Sequence, residues 1–122
     1  MREGALGKVY QDGEVIIQQG DVGTCMYVIQ EGRVEVVTGE QGKETRLAIR
    51  EAGDFIGEMS IFEREVRSAT VRALGSARVL TVDKKNFMRR IHADPSLALR
   101  IVETMSKRIR ELSEEVAKLK GD

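Results

Sequence analysis

The sequence is short of the residues that most catalytic and metal chemistry starts from. It holds one cysteine, Cys25, and one histidine, His92. A lone cysteine excludes an intramolecular disulfide framework, CxxC redox chemistry and cysteine-based zinc sites, and a lone histidine excludes a histidine-rich metal centre. Net charge is missing too: 20 Lys and Arg stand against 20 Asp and Glu, whereas a nucleic-acid-binding domain normally carries a basic excess. No run approaches the ~20 consecutive apolar residues of a membrane span. Met1–Lys8 lacks the apolar stretch of a secretory leader. These absences point to a reducing, cytoplasmic compartment, with no metal, no membrane and no direct nucleic-acid contact. Small-molecule binding stays open. What is present suffices for folding: 122 residues, 33% charged and 41% hydrophobic, fit one globular domain, residues 1–122, with its own core.

The chain changes character near Val82. Up to there, short β-rich runs alternate with glycine turns. Glu14–Ile17, Cys25–Gln30, Arg33–Thr38, Lys43–Arg50, Ser68–Ala73 and Ala77–Val82 read as strands by their period of two and their β-branched content. On the fourth run Thr45, Leu47 and Ile49 share one face. Gly13, Gly20-Asp21, Gly23, Gly32, Gly39 to Gly42, Gly53-Asp54 and Gly75-Ser76 fall between runs as turn signals, with Glu40-Gln41 as a solvated hairpin tip. Strands at this rhythm predict an antiparallel sandwich or barrel over about 7–82. Asp83 then caps a short helix over about 83–92, with Phe87 and Ile91 on one face. Asp94-Pro95 opens a long helix over about 95–120.

The stretch Gly53-Asp54-Phe55-Ile56-Gly57-Glu58-Met59-Ser60-Ile61-Phe62, followed by Arg67-Ser68-Ala69-Thr70-Val71, is the most informative. A strand end delivers the chain to Gly57, and a one-turn helix starts around Glu58. Unpaired amides at such a helix start attract anions. If the segment folds back, Arg67 faces those amides and offers a planar guanidinium suited to phosphate. Ser68 and Ala69 add a hydroxyl and further amides. Glu58 repels phosphate and suits a sugar hydroxyl instead. An anion pocket beside a hydroxyl acceptor matches a nucleotide with one phosphate. The competing interpretation is that Glu58 and Arg67 are ordinary surface charges or an idle ion pair.

The order Gly57-Glu58, an eight-residue gap, then Arg67-Ser68-Ala69 resembles the phosphate-binding cassette of the cyclic-nucleotide-binding domain family. That family includes bacterial catabolite activators and protein kinase A regulatory subunits. The upstream run Gly13-Glu14-Val15-Ile16, Gln19-Gly20-Asp21, Tyr27-Val28-Ile29, Gly32-Arg33-Val34 is similar to the family's early strands. The resemblance implies an antiparallel β-roll, a cupin-like jelly roll, with a short cassette helix and a long C-terminal dimerisation helix. It implies a non-enzymatic sensor whose ligand is cAMP, or alternatively cGMP. Glu58 takes the ribose 2′-hydroxyl, and Arg67 the cyclic phosphate. The amides of Gly57, Glu58, Met59 and Ala69, with the Ser68 hydroxyl, complete the cradle. Val36 and Leu47 fall where the family packs apolar side chains against the purine; plain strand core is the alternative for both.

On the last helix Val102, Met105, Ile109, Leu112, Val116 and Leu119 are spaced 3, 4, 3, 4 and 3 apart, a heptad seam. In a parallel pair Glu115 faces Lys120 of the second copy. A helix from Ser96 to Lys120 spans roughly 38 Å at 1.5 Å per residue, longer than a small roll covers, so a homodimer is expected. A helix lying on its own domain, with the stripe as core, is the alternative. The resemblance implies that this helix approaches the base through Leu112-Ser113, where the family's bacterial activators carry Thr-Ser. Those activators continue into a DNA-binding domain, whereas this sequence ends at Asp122. It is therefore expected to be a sensor whose downstream effector is supplied elsewhere, or the sensing fragment of a larger regulator. A metal enzyme of cupin type would need several His and carboxylate ligands. A dimerisation module with an empty pocket is the third alternative. Cys25 reads as a small buried hydrophobe, His92 as a charge at a helix end, and Lys84-Lys85 with Arg89-Arg90 as a solvated face.

Overall fold

A computed structural model describes residues 6–40 and 42–121. In chain order they form β1 (Lys8–Tyr10), β2 (Val15–Ile17), β3 (Val22–Gly23), β4 (Cys25–Thr38), β5 (Thr45–Glu51), β6 (Phe55–Ile56), α1 (Met59–Phe62), β7 (Glu65–Val66), β8 (Thr70–Asp83), α2 (Lys84–Ala93) and α3 (Ser96–Gly121). Strands β4 and β8, each 14 residues long, are the frame. They pair antiparallel from Cys25 opposite Asp83 to Val37 opposite Thr70. β1 and β2 add to β8, and β5 and β6 add to β4, all antiparallel. β3 and β7 form a separate two-stranded ribbon. The result is the expected antiparallel β architecture with a long C-terminal helix, and the sheet is not closed.

Three expected turns are not turns: Gly23 lies in β3, and the other two lie inside the long strands. The sequence pattern breaks at Gly32 and at Gly75-Ser76, yet β4 and β8 run straight through both places. The pairing register shifts between Ile29 and Glu31 and again between Glu31 and Arg33. Extra residues are absorbed there as bulges, which bend a strand without ending it. Gly32 has φ 80° and Gly75 φ 72°, a region that side chains disfavour. A side chain at Gly32 would also run into the Ser76 carbonyl. The same shifts explain why burial along β4 departs from strict alternation: Met26, Ile29, Val34 and Val37 all turn inward. Of the expected hairpin tip, Gln41 lies outside the described residues; around it the Lys43 amide donates to the Glu40 carbonyl at 2.8 Å.

The core consists of Ile17, Ile29, Val34, Ile56, Val71, Ala73, Ala77 and Val79, drawn from β2, β4, β6 and β8. A charged network ties three segments of the larger sheet together. Glu35 of β4 meets Arg46 of β5 at 3.0 Å and Arg72 of β8 at 3.1 Å, and Arg72 also holds Glu44 at 2.7 Å. The Asp83 carboxylate accepts from the Asn86 amide at 2.8 Å and so caps α2; Phe87 is buried. Residues from Met88 onward form a compact unit of their own. There Asp94 accepts from the Ser96 amide at 3.2 Å and the Ser96 hydroxyl at 2.6 Å, which caps α3. The Ser96 hydrogen bond, helped by Arg100, lowers the Asp94 carboxyl below its ordinary range. No residue of α3 is buried.

Ile29 is 1% exposed, whereas Val22 is 52% exposed. Ile29→Ala is expected to lower the unfolding free energy by about 2–5 kcal/mol. Val22→Ala should stay within about 0.5 kcal/mol of the parent. Urea titration followed by circular dichroism measures both, and equal effects would contradict the core assignment.

Candidate functional site

Gly57 has φ 71°, so the chain turns sharply after β6 and enters α1. The Ser60 and Ile61 amides donate to the Gly57 and Glu58 carbonyls at 3.3 and 3.0 Å, which closes a single turn with Glu58 at its N-cap position. The chain then returns through β7, whose Val66 pairs with Val22 and Glu65 with Gly23. This hairpin-like return brings Arg67 back beside the residue it left ten positions earlier.

Arg67 is fixed at both ends. Its amide donates to the Asp21 carbonyl at 2.7 Å, and its own carbonyl accepts from the Gly20 amide at 2.9 Å. Its side chain is buried, with 8% exposed. Nη1 donates to the Gly57 carbonyl at 3.2 Å and Nη2 to the Cys25 carbonyl at 2.7 Å. The guanidinium carbon lies 5.8 Å from the centre of the Tyr27 ring, within cation–π range. Both oxygen acceptors are neutral, so they satisfy hydrogen bonds without cancelling the charge. A cavity of about 150 Å³ adjoins this seat, lined among others by Ile17, Asp21, Gly23, Cys25, Tyr27 and Arg67. Burial pushes the Tyr27 phenol up to about 12, with the Cys25 thiol adding to the rise and the Arg67 cation opposing it.

A second set of contacts holds the segment after Arg67. The buried Thr70 hydroxyl accepts from the Gln19 amide at 3.0 Å and from Gln18 Nε2 at 3.3 Å. Gln19 Oε1 in turn accepts from the Gly39 amide at 3.0 Å. The Thr38 hydroxyl is 3.4 Å from that oxygen and 3.5 Å from the Ser68 carbonyl. The end of β4 is thereby tied to Ser68 and Thr70.

Of the residues singled out in the sequence, Gly57 and Arg67 are in direct contact. Glu58 and Ala69 are half-buried, and Met59 and Ser68 are exposed. Val36 is half-buried and packs against the core. Leu47 is 59% exposed, which rules out a place in the strand core for it; it falls where the register between β4 and β5 shifts. On α3, Val102, Ile109, Leu112, Val116 and Leu119 are all exposed, Met105 half-buried and Ser113 exposed. Sequence reasoning missed the Cys25 carbonyl, Tyr27, Gln19 and Thr70. A backbone oxygen has no side-chain signature, and the other three look like ordinary strand and turn residues. Among the described residues, no group of three His, Cys, Asp or Glu side chains is arranged to hold a metal ion, and no helix is long and apolar enough to cross a membrane.

Because the Tyr27 phenol holds its proton more tightly when folded, its contribution to stability is complete below pH about 10 and declines from there through pH about 12. In a Tyr10→Phe variant Tyr27 is the remaining tyrosine, and tyrosinate absorbance at 295 nm should titrate near 12. Titration near 10 in the folded protein would show that the ring is not desolvated as described.

The family model of the cyclic nucleotide-binding domain matches residues 7–94. The cAMP-activated global transcriptional regulator CRP of Salmonella typhimurium is 36% identical over 112 residues, covering 90% of this chain and 53% of the regulator. The cAMP-dependent protein kinase regulatory subunit of Schizosaccharomyces pombe is 40% identical over 81 residues, 66% of this chain and 19% of the subunit. Among solved structures, the Thermus thermophilus catabolite activator protein superposes with a TM-score of 0.79 at 28% identity, over 92% of this chain and 53% of the activator. The chain thus spans about half, or less, of the length of these relatives. It belongs to the cyclic nucleotide-binding domain family.

Proposed function

We propose that the chain binds a cyclic nucleoside monophosphate, cAMP in the first place and cGMP as the alternative, and acts as a regulatory module rather than a catalyst. The observation that carries this reading is the buried Arg67 guanidinium, held by neutral carbonyls beside Gly57. Taking a cation out of water is costly unless it is paired; the contacts that hold this side chain among the described residues supply no counter-charge, and a ligand phosphate would supply it. One guanidinium matches the single charge of a cyclic phosphodiester. A terminal phosphate, nearly doubly charged, would meet Glu58 as a repelling neighbour. In this reading Arg67 takes the cyclic phosphate, with the amides of Gly57, Glu58, Met59 and Ala69 and the Ser68 hydroxyl around it. Glu58 accepts from the ribose 2′-hydroxyl. Val36 and the exposed Leu47 offer apolar surface to the purine. That the relatives are a cAMP-activated regulator and a cAMP-dependent kinase subunit supports placing cAMP first.

Residues 1–122 then act as one sensing module, with α3 as its output and pairing element. The support for pairing is the seam Val102, Met105, Ile109, Leu112, Val116 and Leu119, exposed except for the half-buried Met105, on a helix with no buried residue. A second copy of this chain would cover the seam. Ligand shifts the module only through differential affinity for two arrangements.

Two measurements test this function. In calorimetry the parent chain should bind cAMP or cGMP, and Arg67→Ala should lose roughly 2–5 kcal/mol of that affinity. Unchanged binding by a folded Arg67→Ala variant would sink the site. In sedimentation equilibrium the parent should be a dimer and Leu112→Glu a monomer; a monomeric parent would refute pairing through α3.

A further inference from the structure

Gly23 looks like one more turn glycine, but its backbone does not need glycine. It is absent from the residues with positive φ, it lies in β3 paired with β7, and it is buried. Any residue could adopt that backbone. What excludes a side chain is the neighbour: a Cβ built there would land on Nε and Cζ of Arg67, nearer than atoms can approach, with Nη2 at 2.6 Å. The space a methyl group would take is the space the guanidinium occupies.

We infer that Gly23 is a positioning residue for Arg67, and that the missing side chain at this position sets where the phosphate-binding cation sits. The seat has four walls. The Cys25 carbonyl holds Nη2 and the Gly57 carbonyl holds Nη1. The Tyr27 ring lies across the charge, and Gly23 closes the remaining side with bare backbone. A guanidinium carries five N–H donors in a fixed plane, so two bonds to carbonyls fix its orientation and leave donors for a ligand. Preorganising a cation in this way lowers the cost of ordering it when the ligand arrives. Gly57 closes the seat differently. A Cβ there would lie 2.7 Å from Nη1, but φ +71° already demands glycine, so a substitution at Gly57 mixes backbone strain with displacement of Arg67. Gly23 separates the two. The far end of a side chain can yield, so alanine at 23 should leave the fold intact and push the guanidinium out of its seat.

This inference rests on the reading of Arg67 as the phosphate ligand, and a double-mutant cycle keeps the two apart. The parent, Gly23→Ala, Arg67→Ala and the double variant are compared by cAMP calorimetry and by urea unfolding without ligand. Gly23→Ala is expected to weaken cAMP binding by about tenfold or more, the loss of one charge-assisted hydrogen bond. It should also lower the urea midpoint in the parent but not in the Arg67→Ala background, where nothing occupies the space. Equal effects of Gly23→Ala on the midpoint with and without Arg67 would overturn the inference, because the glycine would then serve the fold and not the arginine. Unaltered cAMP affinity in Gly23→Ala, with affinity lost in Arg67→Ala, would overturn it as well. If Arg67→Ala itself binds cAMP like the parent, the functional reading fails, and the ligand-free coupling between positions 23 and 67 still decides whether the seat exists.

Discussion

The cost of burying the Arg67 guanidinium is the constraint that most of this unit's local structure answers. A guanidinium carries its charge wherever it is placed, and moving it from water into a protein interior is unfavourable by several kcal/mol before any partner is supplied. Here the partners are two backbone carbonyls and an aromatic face. Carbonyls relieve the lost hydration of the N–H groups but leave the charge uncancelled. Two of the N–H groups are thereby satisfied, while these contacts, among the described residues, bring no opposite charge. That asymmetry separates Arg67 from Arg72, which meets two carboxylates, Glu35 and Glu44, at 3.1 and 2.7 Å, and the proposed phosphate-binding role rests on it.

Supplying backbone carbonyls to one side chain from two distant parts of the chain is a problem of topology. Cys25 begins β4, Gly57 follows β6, and both strands belong to the same sheet through the pairing of Tyr27 with Ile56 and Val28 with Phe55. The β3–β7 ribbon returns the chain to this corner, and the Gly20 and Asp21 backbone groups fix Arg67 on arrival. Glycines serve this fold in three distinct ways. Gly32 and Gly75 let long strands bend without ending. Gly57 supplies a left-handed turn. Gly23 supplies empty space. The long paired strands give the corner its rigidity, since the core residues Ile29, Val34, Val71 and Val79 lie on them.

The legible part of this architecture was the part written in side-chain types. Alternating β-branched runs gave strands, Asp83 and Asp94 gave helix caps, and the order Gly57, Glu58, Arg67, Ser68, Ala69 resembled a phosphate cassette. What stayed hidden was written in the backbone. Gly32 and Gly75-Ser76 read as turns because a bulge and a turn use the same residue for the same φ, and only cross-strand pairing tells them apart. β1, β3 and β7 are two or three residues long, too short for a period of two to register. Leu47 and Ile49 had the alternation of a half-buried strand, but which face meets the core depends on register against β4, which a single strand does not encode. The Cys25 carbonyl could not be found from its residue type, since every residue has one.

The charge balance takes on meaning at this level. Twenty acids against twenty bases is a sum over groups with different tasks. Glu35, Glu44, Arg46 and Arg72 neutralise one another across β4, β5 and β8, and Asp94 is committed to Ser96 and Arg100 at the start of α3. Arg67 is committed to no carboxylate by any of the contacts that hold its side chain. In a chain whose total charge is zero, long-range attraction to an anionic ligand is weak, so affinity for a phosphate has to come from a local site. A buried, oriented cation in a low-dielectric corner provides that local field, because charge interactions strengthen as water is excluded. If the proposed site takes a cyclic phosphodiester, the near-neutral whole and the buried Arg67 are complementary, because the attraction is concentrated at one guanidinium instead of being spread over the surface.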